Sequence, residues 1–364
     1  MSRRAPSDNR EVDPRVESWM RRAIAMAVGT HPHPNPRVGA VVLTPQGEEV
    51  GAGAHLGPGN DHAEVVALRE AGTAAAGATV VSTLEPCSHF GKTPPCTDAL
   101  IAAGVAKVIV GARDPDDRVA GSGIAKLLDA GIEVLEGVLT ADVEAADPGY
   151  FHHRRYGRPR FRIKLAATLD GQVAAVDGTS QWITSEQARA DAHRLRAESD
   201  AVLIGAGTLR ADDPALDVRL PDFTGQQPHP VVLAGSQPLP ENRRLYEREP
   251  LIYTPRWLDG PVPSVVLDGA GRLDLEVVAK DLAKRGILEV LVDGGPTVAA
   301  AFVAAGLADY FTFYFGASLG GGVGRPMFDG AFTTILNSFP IEIMDVAKVG
   351  PDLRVDCRPA GEVG

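Results

Sequence analysis

His62-Ala63-Glu64, followed by Glu85-Pro86-Cys87-Ser88-His89-Phe90-Gly91-Lys92-Thr93-Pro94-Pro95-Cys96, sets out an imidazole, two thiols and a carboxylate within one short stretch. His62, Cys87 and Cys96 form the donor set of a catalytic zinc site, three N/S ligands with a fourth tetrahedral position left for water. Glu64 stands two residues after His62. That is too close for a comfortable fourth ligand on the same helical turn, and well placed to take a proton from water and hand it to a leaving group. A closed, structural zinc is the alternative. It would need a further ligand such as His89, although structural sites use short paired spacings. Two ordinary buried cysteines would leave the His-x-Glu and Glu-Pro-Cys patterns without a reason.

Working outward, residues 62–71 read as a helix, 78–84 as an apolar strand, and 93–103 as a helix opened by prolines near its first turn. A helix start favours thiolate, which suits Cys96. Upstream, 16–28 carries apolar residues at helical spacing. His31-Pro32-His33-Pro34-Asn35-Pro36 cannot be helical, because each proline pushes its predecessor into extended conformations. Residues 38–43 and 49–54 flank Pro45-Gln46-Gly47 and read as a hairpin. Downstream, 105–112, 121–130 and 132–136 read strand, helix, strand. The alternation predicts a sheet with a parallel part, covered by helices.

Residues 141–160 read as a polar, turn-rich connection, with the domain boundary near residue 150. After it come a strand at 161–167, a helix at 185–197 and a buried strand at 201–205. Short strands follow at 230–234, 251–254 and 264–267, then a helix at 275–285 and a strand at 288–292. Gly294-Gly295-Pro296 opens a helix over 297–305, and 310–315 alternates as a strand. This is a second α/β unit, without a repeat of the first.

At 364 residues the chain is long enough for two domains with full cores. A net charge of −11 and the absence of Lys/Arg runs argue against a nucleic-acid groove or a membrane-surface patch. They leave room for a small basic pocket, so the expected partner is a small molecule. No stretch is long and apolar enough for a spanning helix. The polar start reads as a disordered tail, not a secretory signal. Three cysteines, an odd and low count, suit metal ligation in a reducing cytoplasm better than disulfides.

The His-x-Glu … Pro-Cys pattern is that of zinc-dependent nucleobase deaminases, stretched here by eight residues between the cysteines. With that spacing the chain resembles the bifunctional riboflavin-biosynthesis deaminase–reductases of bacteria, over residues 19–354. The resemblance rests on Pro34-Asn35-Pro36-Arg37-Val38-Gly39, Gly53-Ala54-His55, His62-Ala63-Glu64-Val65 and Thr83-Leu84-Glu85-Pro86-Cys87-Ser88-His89, and on Gly91-Lys92-Thr93-Pro94-Pro95-Cys96. In the second half it rests on Lys164-Leu165-Ala166-Ala167-Thr168-Leu169-Asp170-Gly171, Ser180-Gln181-Trp182-Ile183-Thr184, Leu195-Arg196-Ala197 and Asp212-Asp213-Pro214-Ala215-Leu216.

What the resemblance implies is an α/β chain in three parts: a tail at 1–14, a cytidine-deaminase-like three-layer domain at 15–150, and a dihydrofolate-reductase-like α/β domain at 151–364. The first domain would use zinc to deaminate a diaminopyrimidinone bearing a phosphoribosylamino group. The second would use NADPH to reduce the ribosyl group to ribityl. A homo-oligomer, dimer or higher, is expected. Asn35, His55, Glu85, His89 and Lys92 would line the deaminase pocket. Lys92 reads otherwise as a solvated loop lysine.

By the same resemblance, Ala166, Trp182, Thr208, Asp212, Gly295, Pro296, Thr297, Val298, Ala299, Ala300 and Ala301 would meet the dinucleotide. Lys164, Ser180, Arg196, Leu216, Arg219 and Asp293 would meet substrate. The residues themselves support part of this. Gly294-Gly295-Pro296-Thr297 between a strand and a helix presents N–H groups to a phosphate, or is simply a turn. Arg196 and Arg219 can grip a phosphate with two parallel donors, or pair on the surface. Trp182 can stack on a cofactor ring or fill core. Lys164 and Asp212 are the candidates for proton source. Where this chain has Asp293 the family has Glu, one methylene longer. Two other readings compete: a deaminase whose second half only binds or dimerises, and a nucleic-acid editing deaminase, which would need a basic, aromatic channel.

Overall fold

The computed structural model describes residues 13–90, 94–116, 119–235, 238–255, 264–266, 273–330 and 333–361. The chain forms two compact units, Met1–Arg155 and Tyr156–Gly364. The expected tail falls largely outside the described residues, and Lys92 lies wholly outside them.

The first unit runs α1 (Pro14–Val28), β1 (Gly39–Leu43), β2 (Glu49–Ala54), α2 (Ala63–Ala71), β3 (Thr79–Leu84), α3 (Cys96–Ala102), β4 (Lys107–Ala112), α4 (Ser122–Asp129), β5 (Glu133–Glu136), α5 (Thr140–Ala146) and α6 (Pro148–Tyr156). Its sheet order is β2-β1-β3-β4-β5. β1 is antiparallel to both neighbours, and β3, β4 and β5 are parallel.

Side-chain parity places helices on both faces. Ala40 of β1 pairs with Gly53, so the two residues face one side, and Gly39 faces the other. A Cβ at Gly39 would overlap the Ala23 carbonyl of α1, and one at Gly53 would overlap the Ala63 carbonyl of α2. Helices α1 and α2 therefore cover opposite faces of the sheet. β1, β3 and β4 are buried almost throughout, as a sheet sandwiched between helices requires.

Residues 141–160, read from sequence as a turn-rich connection, are mostly helical. The polar composition hid a capping device. Asp147 accepts from the Tyr150 N–H through its side chain and from the Phe151 N–H through its carbonyl, and Pro148 occupies the first turn of α6.

The second unit runs β6 (Arg160–Thr168), β7 (Gln172–Ala174), α7 (Glu186–Ala197), β8 (Ala201–Gly205), α8 (Ala206–Asp212), β9 (His229–Leu233), β10 (Leu251–Thr254), β11 (Ser264–Val266), α9 (Leu275–Lys284), β12 (Glu289–Val292), α10 (Pro296–Ala304), β13 (Tyr310–Gly316), β14 (Arg325–Pro326), β15 (Ile341–Val349) and β16 (Asp352–Pro359). The main sheet is ordered β11-β10-β9-β8-β12-β6-β13-β16-β15, and β7 pairs separately with β14. From β11 to β13 the strands are parallel; β16 and β15 close the sheet antiparallel. Alternate residues of β8 enter different cores. Leu203 packs with Phe161, Ile163 and Phe302, while Val202 and Ile204 pack with Leu195, Leu209 and Tyr314.

Candidate active sites

In the first unit, the ends of three elements converge. His62 is the residue before α2, Cys96 is the first residue of α3, and Cys87 lies on the loop leaving β3. The start of α3 holds that loop: the Cys96 N–H donates to Cys87 Sγ (3.3 Å), and Thr97 donates to the Cys87 carbonyl through its N–H (3.2 Å) and hydroxyl (3.1 Å). His62 Nδ1 is 3.0 Å from Cys96 Sγ and 3.5 Å from Cys87 Sγ, and the two sulfurs are 3.4 Å apart. Zinc bonds of ~2.3 Å to sulfur and ~2.0 Å to nitrogen give tetrahedral edges of about 3.5–3.8 Å. One imidazole and two thiols at these separations therefore fit that ion. The Cys96 thiol donates to Cys87, and with His62 it pulls the Cys87 thiol down to about 4, against the opposing effect of burial. The same contact and burial push Cys96 upward.

Glu64, in the first turn of α2, is 3% exposed, and burial pushes its carboxyl above the usual range. His55 Nδ1 lies 3.0 Å from the Asp61 carbonyl, which only an N–H can satisfy, so Nε2 accepts from Asn35 Nδ2 at 2.9 Å. That leaves the Asn35 carbonyl oxygen as an acceptor. Burial lowers the His55 pKa.

These groups line a cavity of about 360 Å³, together with Glu85 and His89. Glu85, expected to meet substrate, spends its carboxylate on the backbone, accepting from the N–H groups of Asp114 (3.4 Å), Gly121 (3.0 Å), Gly123 (2.9 Å) and Ile124 (3.3 Å). It clamps the loop after β4. Sequence reasoning missed the far wall: Asn60, Asp114, Asp116, Tyr150 and Arg154. The one available signal was the i, i+4 spacing of Tyr150 and Arg154, masked by taking 141–160 for a loop.

In the second unit, β6 alternates buried and half-buried residues. Lys164 is on the half-buried side, where its Nζ reaches Asp293 Oδ1 at 3.2 Å. Arg196 of α7 grips the other oxygen at 2.7 Å and the Asp217 carbonyl at 3.1 Å. Burial alone would raise the Asp293 carboxyl; Lys164 and Arg196 overcome it and hold the group far below the usual range. Burial and the Asp293 charge raise the carboxyl of Asp212, at the end of α8.

The other expected residues are spread more widely. Arg219 is exposed and pairs with Asp217 at 2.8 Å. Leu216 is buried, with φ at 55°. Ser180 and exposed Trp182 line a cavity of about 550 Å³ whose wall does not include Lys164, Arg196 or Asp293. The Arg189 guanidinium sits 4.3 Å from the Trp182 ring centroid. Ala166 packs against core on β6, and Thr208 lies in α8. Gly295 precedes α10 and Pro296 begins it. Among the described residues the N–H groups of Gly295 and Thr297 meet no acceptor, and a Cβ at Gly295 would point into open space. That start suits a phosphate of a dinucleotide. The Thr297 hydroxyl bonds to Asp329. Ala299 is buried and Val298 packs on the same core, so their side chains are spent there, while Ala300 and Ala301 continue the helix.

Residues 14–112 match the family model of the cytidine and deoxycytidylate deaminase zinc-binding region, and residues 159–355 match that of the RibD C-terminal domain. The riboflavin biosynthesis protein RibD of Escherichia coli (strain K12) is 39% identical over 358 residues, covering 93% of this chain and 97% of that protein. Its namesake from Mycobacterium tuberculosis (strain ATCC 25618 / H37Rv) is 44% identical over 325 residues, covering 88% and 90%. Among solved structures, Acinetobacter baumannii RibD (form 1) superposes with a TM-score of 0.88 at 35% identity, covering 95% of this chain and 99% of that one. A Thermotoga maritima diaminohydroxyphosphoribosylaminopyrimidine deaminase/5-amino-6-(5-phosphoribosylamino)uracil reductase gives 0.86 at 34% identity, with the same coverage. The chain belongs to the RibD family.

RibD relatives match across both units, so a deaminase whose second half is only a binding or dimerisation module is disfavoured. Asp293 reaches both Lys164 and Arg196. Among the described residues, no helix is long and apolar enough to cross a membrane.

Proposed function

We propose that this chain catalyses two consecutive steps of riboflavin biosynthesis. The first is hydrolytic deamination of 2,5-diamino-6-(5-phosphoribosylamino)pyrimidin-4(3H)-one. The second is NADPH-dependent reduction of the product's ribosyl group to ribityl. The carrying observation is the juxtaposition of His62 Nδ1, Cys87 Sγ and Cys96 Sγ, with the buried Glu64 carboxyl on the same cavity as His62 and Cys87. We assign deamination to the first unit and reduction to the second, with the boundary after Arg155 instead of near residue 150.

His62, Cys87 and Cys96 would hold a zinc ion, which would supply Lewis acidity and water of lowered pKa. Glu64 takes a proton from the attacking water and delivers it to the departing amine, so that ammonia leaves. Asn35 offers its carbonyl oxygen to ring N–H donors, its orientation fixed through His55 and the Asp61 carbonyl. His89 closes the pocket rim, and Lys92 is assigned to the same pocket. Glu85 shapes it from behind.

In the second unit the start of α10 takes a dinucleotide phosphate, and Trp182, Thr208, Asp212 and Ala166 flank the cofactor, which supplies hydride. Lys164, Arg196 and Asp293 meet the ribosyl group, with Ser180, Leu216 and Arg219 completing the substrate wall. Lys164 and Asp212 are the candidate proton sources, and Lys164 is tied to Asp293. The enzyme works in the cytoplasm. It assembles as a homo-oligomer, a reading supported by the edge strand β15, which exposes Ile343 and Val346.

The test is a coupled assay. Zinc-loaded full-length protein given the diaminopyrimidinone should release ammonia, then oxidise NADPH once the deaminated product accumulates. Ammonia release without NADPH oxidation would overturn the second assignment, and no ammonia release would overturn the first.

A further inference from the structure

The wall of the first unit's cavity carries four carboxyl side chains, Glu64, Glu85, Asp114 and Asp116. A substrate with a phosphate tail would be repelled by such a wall unless a cation faced it. Arg154 lines this wall, a second cation beside Lys92, which is assigned to the same pocket. We propose that Arg154 is the specificity-determining residue that receives the anionic tail of the deaminase substrate. This rests on the deaminase reading above and extends it to the source of discrimination.

The local build supports that role. Tyr150 and Arg154 stand one helical turn apart on α6 and share a face. The Arg154 guanidinium lies over the Tyr150 ring, 4.9 Å from its centroid, a contact that steadies the cation. Tyr150 is itself pinned. Its ring is buried, and its hydroxyl donates toward both carboxylate oxygens of Asp114 at 3.1 and 3.2 Å.

The guanidinium is under-used as a donor. Its Nε is buried without a hydrogen-bond acceptor, and its ion pair with Asp116 is a loose 3.7 Å contact from that same nitrogen. Compare Arg196, which is engaged by Asp293 at 2.7 Å and by the Asp217 carbonyl at 3.1 Å. A guanidinium over a ring with a stretched ion pair is organised for an incoming oxyanion, which it can meet with two parallel N–H donors. Asp116 then acts as the counter-ion that keeps Arg154 paired between turnovers.

The experiment compares two substrates on full-length, zinc-loaded protein: the phosphoribosylamino compound and its dephosphorylated ribosylamino counterpart. Ammonia release is followed for wild type, Arg154→Met and Arg154→Lys. The Met variant keeps the apolar stem over Tyr150 and removes the charge. Loss of one charge-assisted bidentate contact should lower kcat/KM for the phosphorylated substrate about tenfold to a hundredfold. The dephosphorylated substrate should change by less than about twofold, and Lys should recover part of the difference. Zinc content, measured on each preparation, reports that the site is intact. Equal losses on both substrates, or no loss on either, would overturn the assignment of Arg154. A wild-type protein that releases no ammonia from either substrate would instead overturn the deaminase reading, and the assignment with it.

Discussion

Glu64 is a buried carboxyl and Asp293 a half-buried one, and their surroundings drive them in opposite directions. Burial pushes the Glu64 carboxyl up. Glu64→Gln keeps the shape and removes the proton carrier, so ammonia release should fall by about 10²–10⁴-fold with zinc content unchanged. Zinc lost along with activity would mean that Glu64 helps hold the ion. Asp293 is the reverse: burial opposes ionisation, and Lys164 and Arg196 overcome it. A carboxyl held low in the folded state contributes stability that is present above its unfolded pKa, about 4, and is lost as pH falls below that. Asp293→Ala leaves two half-buried cations facing each other and should destabilise the second unit by about 3–5 kcal/mol at pH 7. Thermal unfolding of wild type and variant should show that deficit shrinking below about pH 4. A deficit independent of pH would mean that packing, not charge, is what Asp293 supplies.

At the scale of elements, the first site depends on how closely α2 lies on the sheet. Gly51 and Gly53 of β2 make room for it. A Cβ on Gly53 would overlap the Ala63 carbonyl and come within 2.7 Å of Val66 Cβ. The overlap falls on the first turn of α2, which carries Glu64 and follows His62. Gly53→Ala should therefore cost about 1–3 kcal/mol of overpacking and also move a zinc ligand. Zinc affinity and ammonia release should both fall, while NADPH oxidation by the second unit stays within about twofold. A variant of normal zinc content would show that α2 can shift without carrying His62 along. The hairpin, α2 and the buried strands were legible because their apolar periodicity is set by burial on a sheet. α5 and α6 were not, because their caps, Asp147 and Pro148, resemble turn residues and their exposed faces are polar. The Tyr150–Arg154 wall was lost with them.

For the whole molecule, the zinc donor set was legible because metal coordination fixes residue types. The second site was less so, because its groups come from β6, α7 and the ends of β12 and α8, elements far apart in sequence that only the fold brings near one another. The sites share no residue. Those assigned to deamination lie between 35 and 154, and those assigned to reduction between 164 and 301. Each chemistry should therefore be separable in the intact chain. Stripping zinc with a chelator removes an ion whose binding energy also supports the fold around it. Ammonia release should stop and the first unit should unfold at lower temperature, while NADPH oxidation on the already deaminated phosphoribosylaminouracil should persist at its original rate. Asp212→Ala should do the converse, abolishing NADPH oxidation and leaving zinc content and ammonia release unchanged. If chelation also stopped reduction of pre-deaminated substrate, the second site would depend on the first unit being folded, and the two activities would be one cooperative machine instead of two enzymes on one chain.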